Sequence, residues 1–326
     1  MSQVFLVVTS INKPSLSMKS LAAGARKNKW NFIVVGDRKT PDDYNLPGVS
    51  FYSFVDQLDE LGIAKEIPPD SYARKNLGYL KAIESGANVI VETDDDNAPI
   101  GHFFENRAVN TVSQTINNNE WTNIYRFFGV ENVWPRGFPL ELLQTHETFA
   151  LENNDSCSPI RQNLINGDTD VDAIYRLIIN KNVTFDYKDN IALSPKSWCP
   201  FNSQNTTWWK VAFPLMYLPS NCSTRMTDIW RGFIAQKICW AKGWSISFGH
   251  PTMFQDRNAH NLISDFEMEI DGYLGNAKFI SVLDSLQIDK HQELIDSIRL
   301  CYRALVNEGF FPTNELKILD FWLAYF

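Results

Sequence analysis

The chain has 326 residues, of which 44% are hydrophobic and 21% are charged, and its net charge is −8. This composition is typical of a globular protein with one large or two ordinary domains. Because the chain is acidic overall, it has no broad basic field to recruit nucleic acid or an anionic membrane. A nucleotide would have to be held by a local cluster of basic groups and a metal.

The five cysteines indicate neither a disulfide framework nor a zinc site. Their number is odd, their spacings are wide and no C-x-x-C pair occurs, which favours a reducing compartment. No apolar run approaches the ~18 residues of a transmembrane helix. The start of the chain lacks the charged segment of a signal peptide. We therefore expect a cytoplasmic protein without an integral membrane segment.

The first elements predict a βαβ unit. The apolar run from Val4 to Val8 and the run 31–35 predict buried strands, and residues 18–27 predict a helix between them. This order and spacing predict a parallel sheet. Thr9 ends the first strand, and Asp37 follows the second, where an acidic residue can hydrogen-bond a ribose or base. Neither G-x-G-x-x-G nor a P-loop is present, so a dinucleotide or Walker site is not supported.

A third short strand is predicted over residues 49–54, and a helix over residues 71–84. Arg74 lies near the start of this helix, where free backbone N–H groups favour anions. A solvated surface charge is the alternative for this arginine. The helix leads directly into the apolar run Val89–Val91, which predicts a buried strand.

Three consecutive aspartates, Asp94, Asp95 and Asp96, follow that strand. Adjacent carboxylates resist ionising together unless a cation lies among them. In an extended backbone Asp94 and Asp96 point to one side and Asp95 to the other. This D-x-D pair lies at the carboxyl end of a strand, where open α/β sheets bind ligands, and Mg²⁺ commonly takes one or two carboxylates plus substrate phosphates. The pattern favours a metal–diphosphate site over the alternative, a solvated acidic turn.

The middle of the chain carries weaker signals. Residues 120–143 mix aromatic residues with helix breakers and predict a long loop that walls a cleft. Asp168, Asp170 and Asp172 resemble half of an EF-hand loop, but the glycine at its sixth position and the glutamate at its twelfth are missing, so calcium is rejected. Asp170 is instead expected to cap a helix. Residues 213–218 predict a strand.

The last third predicts a buried helix over residues 225–240, with Thr227 or Asp228 as its N-cap. Residues 244–248 predict the last core strand, and His250 follows it directly. From residue 280 onward the chain predicts helices. We expect an α/β domain over residues 1–275 and a C-terminal helical extension over residues 276–326.

Two sets of motifs resemble known glycosyltransferases. The passage from Tyr72 to Asp96 resembles the R-N-x-G…A…G…D-x-D passage of GT-A-fold, nucleotide-sugar-dependent glycosyltransferases. Residues 132–139 (N-V-W-P-R-G-F-P), 202–206 and 227–232 look like the family that includes the plant STELLO proteins. The resemblance runs from about residue 4 to about residue 273. It implies a GT-A-like α/β fold, in which helices flank a mostly parallel central sheet.

The resemblance implies transfer of a sugar from a nucleoside-diphosphate sugar, most of all a UDP-sugar, to the hydroxyl of a glycan or another acceptor. Mn²⁺ or Mg²⁺ would bridge the diphosphate to Asp96 and Asp94. A histidine after the last core strand, His250 or alternatively His260, would complete the metal shell. The residues implied to bind the nucleotide sugar are Thr9, Asp37, Arg74, Asn76, Asp94, Asp95, Arg136 and Asp168.

Asp228 is implied to be the catalytic base, since it occupies the place of an acidic residue in many inverting GT-A enzymes, although Thr227 precedes it where those enzymes have glutamate. The metal would offset the charge of the departing nucleoside diphosphate, and one base would deprotonate the acceptor. With no candidate for an enzyme nucleophile, we expect inversion. The alternatives are a nucleotide-sugar mutase or nucleotidyltransferase on the same scaffold, and a non-catalytic glycosyltransferase-like partner protein.

Overall fold

The computed structural model describes residues 3–105, 111–118, 121–145, 148–256 and 261–326. Its strands are β1 (Val4–Thr9), β2 (Asn31–Val35), β3 (Ser50–Tyr52), β4 (Val89–Asp94), β5 (Asn97–Pro99), β6 (Thr111–Ile116), β7 (Leu151–Cys157), β8 (Ile160–Gly167), β9 (Ile191–Leu193), β10 (Asn205–Trp209) and β11 (Ile246–Gln255). Its α-helices are α1 (Leu16–Lys27), α2 (Phe54–Glu60), α3 (Lys75–Glu84), α4 (Ile124–Phe127), α5 (Ala173–Ile178), α6 (Thr227–Ala241), α7 (Leu262–Ser285), α8 (Leu294–Asn307) and α9 (Asn314–Leu323).

The strands form one sheet in the order β3-β2-β1-β4-β10-β8-β11-β9-β6-β7, and β5 pairs with β11 beside this path. The four strands from β3 to β4 run parallel, as the predicted βαβ unit requires. From β10 onward the pairings are mixed, since β10 is antiparallel to both β4 and β8 whereas β8 and β11 are parallel. The predicted α/β class with a central sheet flanked by helices is confirmed, and the parallel part of the sheet is its first part.

The parallel part of the sheet is buried on both faces, which explains its continuous apolar runs. Along β1, Val7 belongs to the core cluster of α3, with Leu77, whereas Val8 belongs to the cluster of α1, with Leu21. Helix α3 lies close to the sheet at Gly78, because a Cβ atom there would come within 2.7 Å of Val7 Cγ1. The close contact fixes the N-terminal end of α3 beside the ends of β1 and β4.

Two predicted elements differ in the structure. Residues 210–216 form a 3₁₀ helix that contains Pro214, where a strand was predicted, because a short buried apolar run fits either conformation. Strand β11 continues through Gly249 and Pro251 to Gln255 with a register shift, although these two residues are strand breakers. His250 therefore lies within the strand and not after it.

The predicted helix caps are also corrected. Asp172, not Asp170, caps α5, because its carboxylate accepts a hydrogen bond from the backbone N–H of Tyr175. Helix α6 follows Met226 and has no side-chain cap. The side chains of Thr227 and Asp228 have other partners, the backbone oxygen of Pro219 and the guanidinium of Arg136.

The C-terminal helices pack on α6 and share its core. Trp230 of α6 stacks on Phe279 of α7 with ring centroids 5.2 Å apart, and Leu305 and Trp322 belong to the same buried cluster. Helix α7 runs without a break through residues 275 and 276, so the expected boundary falls inside a helix. The helical C-terminal portion is confirmed, and its division from the rest as a domain stays a prediction.

The five cysteines are free, which agrees with the predicted absence of a disulfide framework. Of the helices within the described ranges, none has the length and apolar character needed to cross a membrane. The expected cytoplasmic location stays a prediction.

Candidate functional site

A cavity of about 600 Å³ lies where β1, β2 and β4 end, at the carboxyl edge of the parallel part of the sheet. Ligands of α/β sheets bind at this edge. The predicted site residues that line the cavity are Thr9, Asp37, Arg74, Asp94, Asp95, Asp96, Arg136 and Asp228. Residues separated by as much as 219 positions in the chain are thus brought to one site.

Carboxylates outnumber basic groups in the lining. The acidic lining residues are Asp37, Asp70, Asp94, Asp95, Asp96 and Asp228, and the basic ones are Lys39, Arg74, Arg136 and Arg225. This excess of carboxylates favours the binding of a cation in the cavity.

The three consecutive aspartates do not form one extended strand end. Only Asp94 belongs to β4, and Asp95 and Asp96 form the turn that leads into β5. The expected alternation, with Asp94 and Asp96 on one side and Asp95 on the other, is therefore wrong because the pleat stops at Asp94. All three line the cavity, and each has different partners.

Asp94 is compensated by a buried lysine. Lys75 Nζ lies 3.0 Å from Asp94 Oδ1 and also donates to the backbone oxygen of Thr93 and to Tyr72 Oη, both at 2.7 Å. Tyr72 Oη donates to the same carboxylate oxygen at 2.7 Å. Lys75 is fully buried, so its charge acts on Asp94 with little screening by water.

Asp95 and Asp96 contact the loop after β1 and the end of β11. Asp95 Oδ2 accepts hydrogen bonds from Ser10 Oγ at 2.6 Å and from Asn12 Nδ2 at 3.3 Å. Burial raises the pKa of Asp95 above its usual value, although these hydrogen bonds act in the opposite direction. Asp96 Oδ2 accepts from Gln255 Nε2 at 3.1 Å.

Asp37 is held at the opposite end of the cavity by backbone groups. Its two carboxylate oxygens accept from the backbone N–H groups of Arg38, at 2.7 Å, and Ser71, at 3.2 Å. Thr40 joins this turn to the end of β1, since its hydroxyl donates to the backbone oxygen of Ser10 at 2.8 Å. The carboxylate is thus fixed where a ribose or base is expected.

Two residues of the predicted R-N motif have packing partners. Arg74 is buried, its Nε and one terminal nitrogen donate to Gln57 Oε1, and its guanidinium lies 4.4 Å from the ring centroid of Phe54. Asn76 exchanges two hydrogen bonds with the backbone of Leu218 and does not line the cavity. Their predicted contacts with a nucleotide stay predictions, and the geometry gives both residues a part in holding α3.

Arg136 joins two buried carboxylates at the other wall of the cavity. Its guanidinium is bidentate to Asp170, at 2.9 and 2.8 Å, and contacts both oxygens of Asp228, at 3.1 and 3.2 Å. Asp228 Oδ2 also accepts from the backbone N–H of Ser203 at 3.2 Å and lies 3.1 Å from Ser203 Oγ. Burial disfavours the charged form of Asp228, but Arg136, Arg231 and the backbone N–H of Ser203 together outweigh it and hold the pKa of Asp228 below its usual value.

The helix that carries Asp228 is anchored to β4 by a second buried pair. Arg231, one turn along α6, donates to both oxygens of Glu92, at 3.0 and 2.8 Å. Tyr79 and Trp208 also donate to this carboxylate. This arrangement holds the start of α6 at a fixed position relative to Asp94.

Asp168 and His250, like Asn76, do not line the cavity. Asp168 pairs with Arg176 and is absent from the lining. His250 packs against Tyr187 with ring centroids 3.8 Å apart, and burial lowers its pKa. It lies between Gly249 and Met253, where the register of β11 shifts. His260 lies outside the described residues.

The residues that the sequence did not assign are the partners of the predicted carboxylates. They are Lys75, Tyr72, Ser203, Asp170 and Gln255. A signal for Lys75 existed, since it adjoins Arg74 at the start of α3, and Tyr72 and Ser203 lie within quoted motifs. Their pairing depends on tertiary contacts between residues 19 to 159 positions apart, which no local pattern reveals.

The carboxylates fit a cation that takes some of its ligands from a substrate. Among the described residues, no group of three or more histidine, cysteine, aspartate or glutamate side chains is arranged to hold a metal ion. Asp94 and Asp96 nevertheless present hard oxygen donors to one cavity, and Mg²⁺ commonly binds one or two carboxylates together with phosphates. The donor set therefore matches Mg²⁺ or Mn²⁺ bound with a diphosphate.

These features define an α/β protein with an acidic ligand cavity at the carboxyl edge of its parallel strands. Residues 225–326 match the family model of the STELLO glycosyltransferases. The chain is 28% identical to two proteins of Arabidopsis thaliana, described as "Probable glycosyltransferase STELLO1" and "Probable glycosyltransferase STELLO2", over 347 and 348 aligned residues. The predicted resemblance to the STELLO-like family is confirmed.

These alignments cover 99% of this chain and 44% of each relative, so the chain spans less than half the length of the curated relatives it matches. Among solved structures, the glucosyl-3-phosphoglycerate synthase of M. tuberculosis aligns with a TM-score of 0.43 and 10% sequence identity. That alignment covers 85% of this chain and 81% of the other.

Proposed function

We propose that this protein is a metal-dependent glycosyltransferase that uses a nucleoside-diphosphate sugar. The observation that carries the proposal is the cavity of about 600 Å³, which has three aspartates at the end of β4 on one wall and Asp228 at the start of α6 on another. The similarity to glycosyltransferases over nearly the whole chain supports the same reaction class.

The donor binds along the edge of the parallel strands. Asp37 and Thr9 would face the nucleoside, and Asp94 and Asp96 would supply the protein ligands of Mn²⁺ or Mg²⁺. When bound, this cation offsets the negative charge that develops on the departing nucleoside diphosphate. A UDP-sugar is the expected donor, and the acceptor is a hydroxyl of a glycan or another molecule.

Asp228 is the proposed base. It lines the cavity, it is held in the charged form by Arg136, and an ionised carboxylate is the form that accepts a proton. A single base without an enzyme nucleophile corresponds to an inverting transfer. Because Arg136 lowers the basicity of Asp228, the proton is transferred late, when the acceptor oxygen has begun to bond to the sugar.

Titration calorimetry with UDP, with and without Mn²⁺, tests the donor site directly. We expect binding that requires the metal and is strongly weakened in Asp96→Ala, whereas Asp168→Ala, which removes a carboxylate outside the cavity, binds as the wild type does. Metal-independent binding, or unchanged binding in Asp96→Ala, would disprove the assignment of the metal. Turnover of the donor sugar to an isomer without any acceptor would instead identify a mutase.

A further inference from the structure

Two hydroxyl groups connect the carboxylates on opposite walls of the cavity. Tyr72 Oη lies 2.7 Å from Asp94 Oδ1 and 2.5 Å from Ser203 Oγ, and Ser203 Oγ lies 3.1 Å from Asp228 Oδ2. Ser203 is fully buried and Asp228 is 4% exposed. An unbroken chain of four oxygen atoms thus runs from Asp94 to Asp228.

This chain contains three oxygen–oxygen contacts but only two hydroxyl protons. An ionised carboxylate can only accept hydrogen bonds, and each hydroxyl donates one. Lys75 donates to Tyr72 Oη and to Asp94, but its protons lie outside the three contacts. While both carboxylates are ionised, one of the three contacts therefore has no proton, and two oxygen atoms face each other without a hydrogen bond.

The hydroxyls have three possible orders. In the first, Ser203 donates to Tyr72 and Tyr72 donates to Asp94, so the contact at Asp228 has no proton. In the second, Tyr72 donates to Ser203 and Ser203 donates to Asp228, so the contact at Asp94 has none. In the third, Tyr72 donates to Asp94 and Ser203 donates to Asp228, so the contact between the two hydroxyls has none. The contact between the hydroxyls is the shortest of the three, at 2.5 Å, and the contact at Asp228 is the longest, at 3.1 Å, which favours the first order. A proton on Asp228 would complete the chain, because Asp228 would then donate to Ser203.

Other groups around Asp228 act against its protonation. The charged and titratable groups that face it are Arg136, Arg231, Tyr72 and Cys222, with Asp170 behind Arg136. Arg136 and Arg231 carry positive charge and disfavour the protonated carboxyl. The incomplete hydroxyl chain acts in the opposite direction, because only a protonated Asp228 fills all three contacts.

We propose that Ser203 and Tyr72 form a hydrogen-bond relay that is completed when Asp228 takes a proton from the acceptor, and that this relay links the base to the donor end of the cavity. This inference rests on the proposed function. The acceptor oxygen bonds to the anomeric carbon and its proton moves to Asp228 Oδ2, while the bond from that carbon to the diphosphate breaks and its electron pair leaves with the diphosphate. Asp228 then donates to Ser203, Ser203 to Tyr72 and Tyr72 to Asp94.

Tyr72 and Ser203 are therefore positioning residues, and the pH profile of Tyr72→Phe tests them. Without the tyrosine oxygen, Ser203 donates permanently to Asp228 and makes it a weaker base. We expect the acidic limb of the kcat/KM profile to shift to lower pH by about one unit, since a hydrogen bond to a charged carboxylate changes its pKa by about this amount. Loss of activity by the same factor at every pH would indicate only a structural role.

The matched variants separate the relay from general packing. Ser203→Ala interrupts the chain and is expected to lower the acidic limb as well, whereas Ser203→Thr keeps a hydroxyl and is expected to restore the wild-type limb. Tyr302→Phe is the control, because Tyr302 is also a buried tyrosine but its hydroxyl contacts only the backbone oxygen of Tyr217, at 3.4 Å. This control is expected to keep the wild-type profile.

A measurement without substrate keeps the relay testable if no donor is found. In protein labelled with carbon-13 at aspartate Cγ, the Asp228 signal is identified by its absence in Asp228→Asn. We expect this carboxyl to titrate about one unit lower in Tyr72→Phe and in Ser203→Ala than in the wild type. An unchanged titration in both variants would overturn the relay even if the enzyme transfers sugar. A shifted titration without transfer from any nucleotide sugar would contradict the proposed function and leave the relay standing.

Discussion

The carboxylates on the two walls of the cavity differ in their burial and in the groups that they contact. At the donor wall, Asp94, Asp95 and Asp96 each contact a different neutral or basic group, and the side chain of Asp94 is 23% exposed. At the base wall, Asp228 and Asp170 are almost fully buried and share the single cation Arg136. The aspartates of the donor wall can therefore give up their present hydrogen bonds when a metal and a phosphate bind. The two carboxylates of the base wall stay paired with Arg136.

This difference follows from the elements that build each wall. The donor wall is the end of the parallel strands β1, β2 and β4, where short loops leave side chains accessible. The base wall joins the segment around Arg136, the start of α6 and the C-terminal helices. On α9, Glu315 is fully buried and accepts hydrogen bonds from Tyr217 and from the backbone N–H of Ser220, in the segment before α6. The C-terminal helices thus support the position of the base.

The largest expected effect is on the reaction itself. Asp228→Asn keeps the shape of the side chain and removes the base, so we expect the transfer rate to fall by about 10² to 10⁴-fold, the usual contribution of general base catalysis. Binding of UDP with Mn²⁺ should stay within about threefold of the wild type, because the donor wall is unchanged. Rate measurements at saturating donor check this prediction.

The control for this variant is Asp168→Asn, a change of the same kind outside the cavity, which is expected to retain the wild-type rate. Retained turnover in Asp228→Asn would show that the base wall has no catalytic role. Weakened UDP binding in that variant would instead show that the two walls do not act separately.

The next largest effect is on stability. Arg136→Met removes the cation between Asp170 and Asp228, and breaking a buried charge pair commonly costs about 3–5 kcal/mol. Part of this loss should be recovered as the pH falls, since the two carboxylates can then be protonated. Urea unfolding at pH 7 and pH 5 measures both effects.

Arg161→Met is the matched control for this substitution. Arg161 is 8% exposed and lies 5.3 Å from the ring centroid of Trp209, and burial lowers its pKa to about 10. Its replacement should cost less than that of Arg136, because it does not leave two buried carboxylates without their cation. Equal losses for the two variants would contradict the special position of Arg136.

The third effect concerns the donor wall. Asp96→Ala is expected to weaken metal-dependent UDP binding by about 10 to 100-fold, in the range found when a metal site loses supporting groups. Stability should change by less than about 1 kcal/mol, as is usual for a cavity-lining residue outside the core. Calorimetry and urea unfolding of the same sample check both parts. A large decrease in the free energy of unfolding would show that Asp96 contributes to the folded structure as much as the carboxylates of the base wall do.

The sequence predicted the donor wall better than the base wall. Asp37 and the three aspartates follow parallel strands, and parallel strand ends meet at one edge, so local patterns were sufficient to bring them together. The base Asp228 was assigned through a family resemblance, and its cation Arg136 was expected to bind the nucleotide sugar. The pairing of Arg136 with Asp170 joins residues 34 positions apart through tertiary packing, which periodicity does not encode.

The prediction that His250 follows the last core strand is wrong for a local reason, and its role as a metal ligand stays a prediction. Gly249 and Pro251 are breakers that predict the end of a strand, whereas β11 continues past them through a register shift. The residue that β11 brings to the aspartates is Gln255. A strand end can therefore be predicted only when nothing downstream pairs with it, and here β5 and β8 both pair with the later part of β11.

The smallest effect tests how the base wall responds to pH. Asp172 is fully buried, and burial raises its pKa to about 6, although Trp134 and the backbone of Tyr175 donate to it. Since the folded pKa exceeds the unfolded value of about 4, the folded protein binds more protons between these values, and stability falls as the pH rises from about 4 to 6. A shift of about two units corresponds to at most about 3 kcal/mol.

Because the buried site can relax around the charged carboxylate, we expect the unfolding free energy to change by only about 1–2 kcal/mol over this pH range. Asp172→Asn should remove it, because the amide oxygen can still accept a hydrogen bond and carries no charge to bury. The difference in unfolding free energy between the wild type and this variant, measured by urea at pH 4, 5, 6 and 7, isolates the effect from other carboxylates. A difference that is constant across this range would show that Asp172 titrates as an ordinary aspartate.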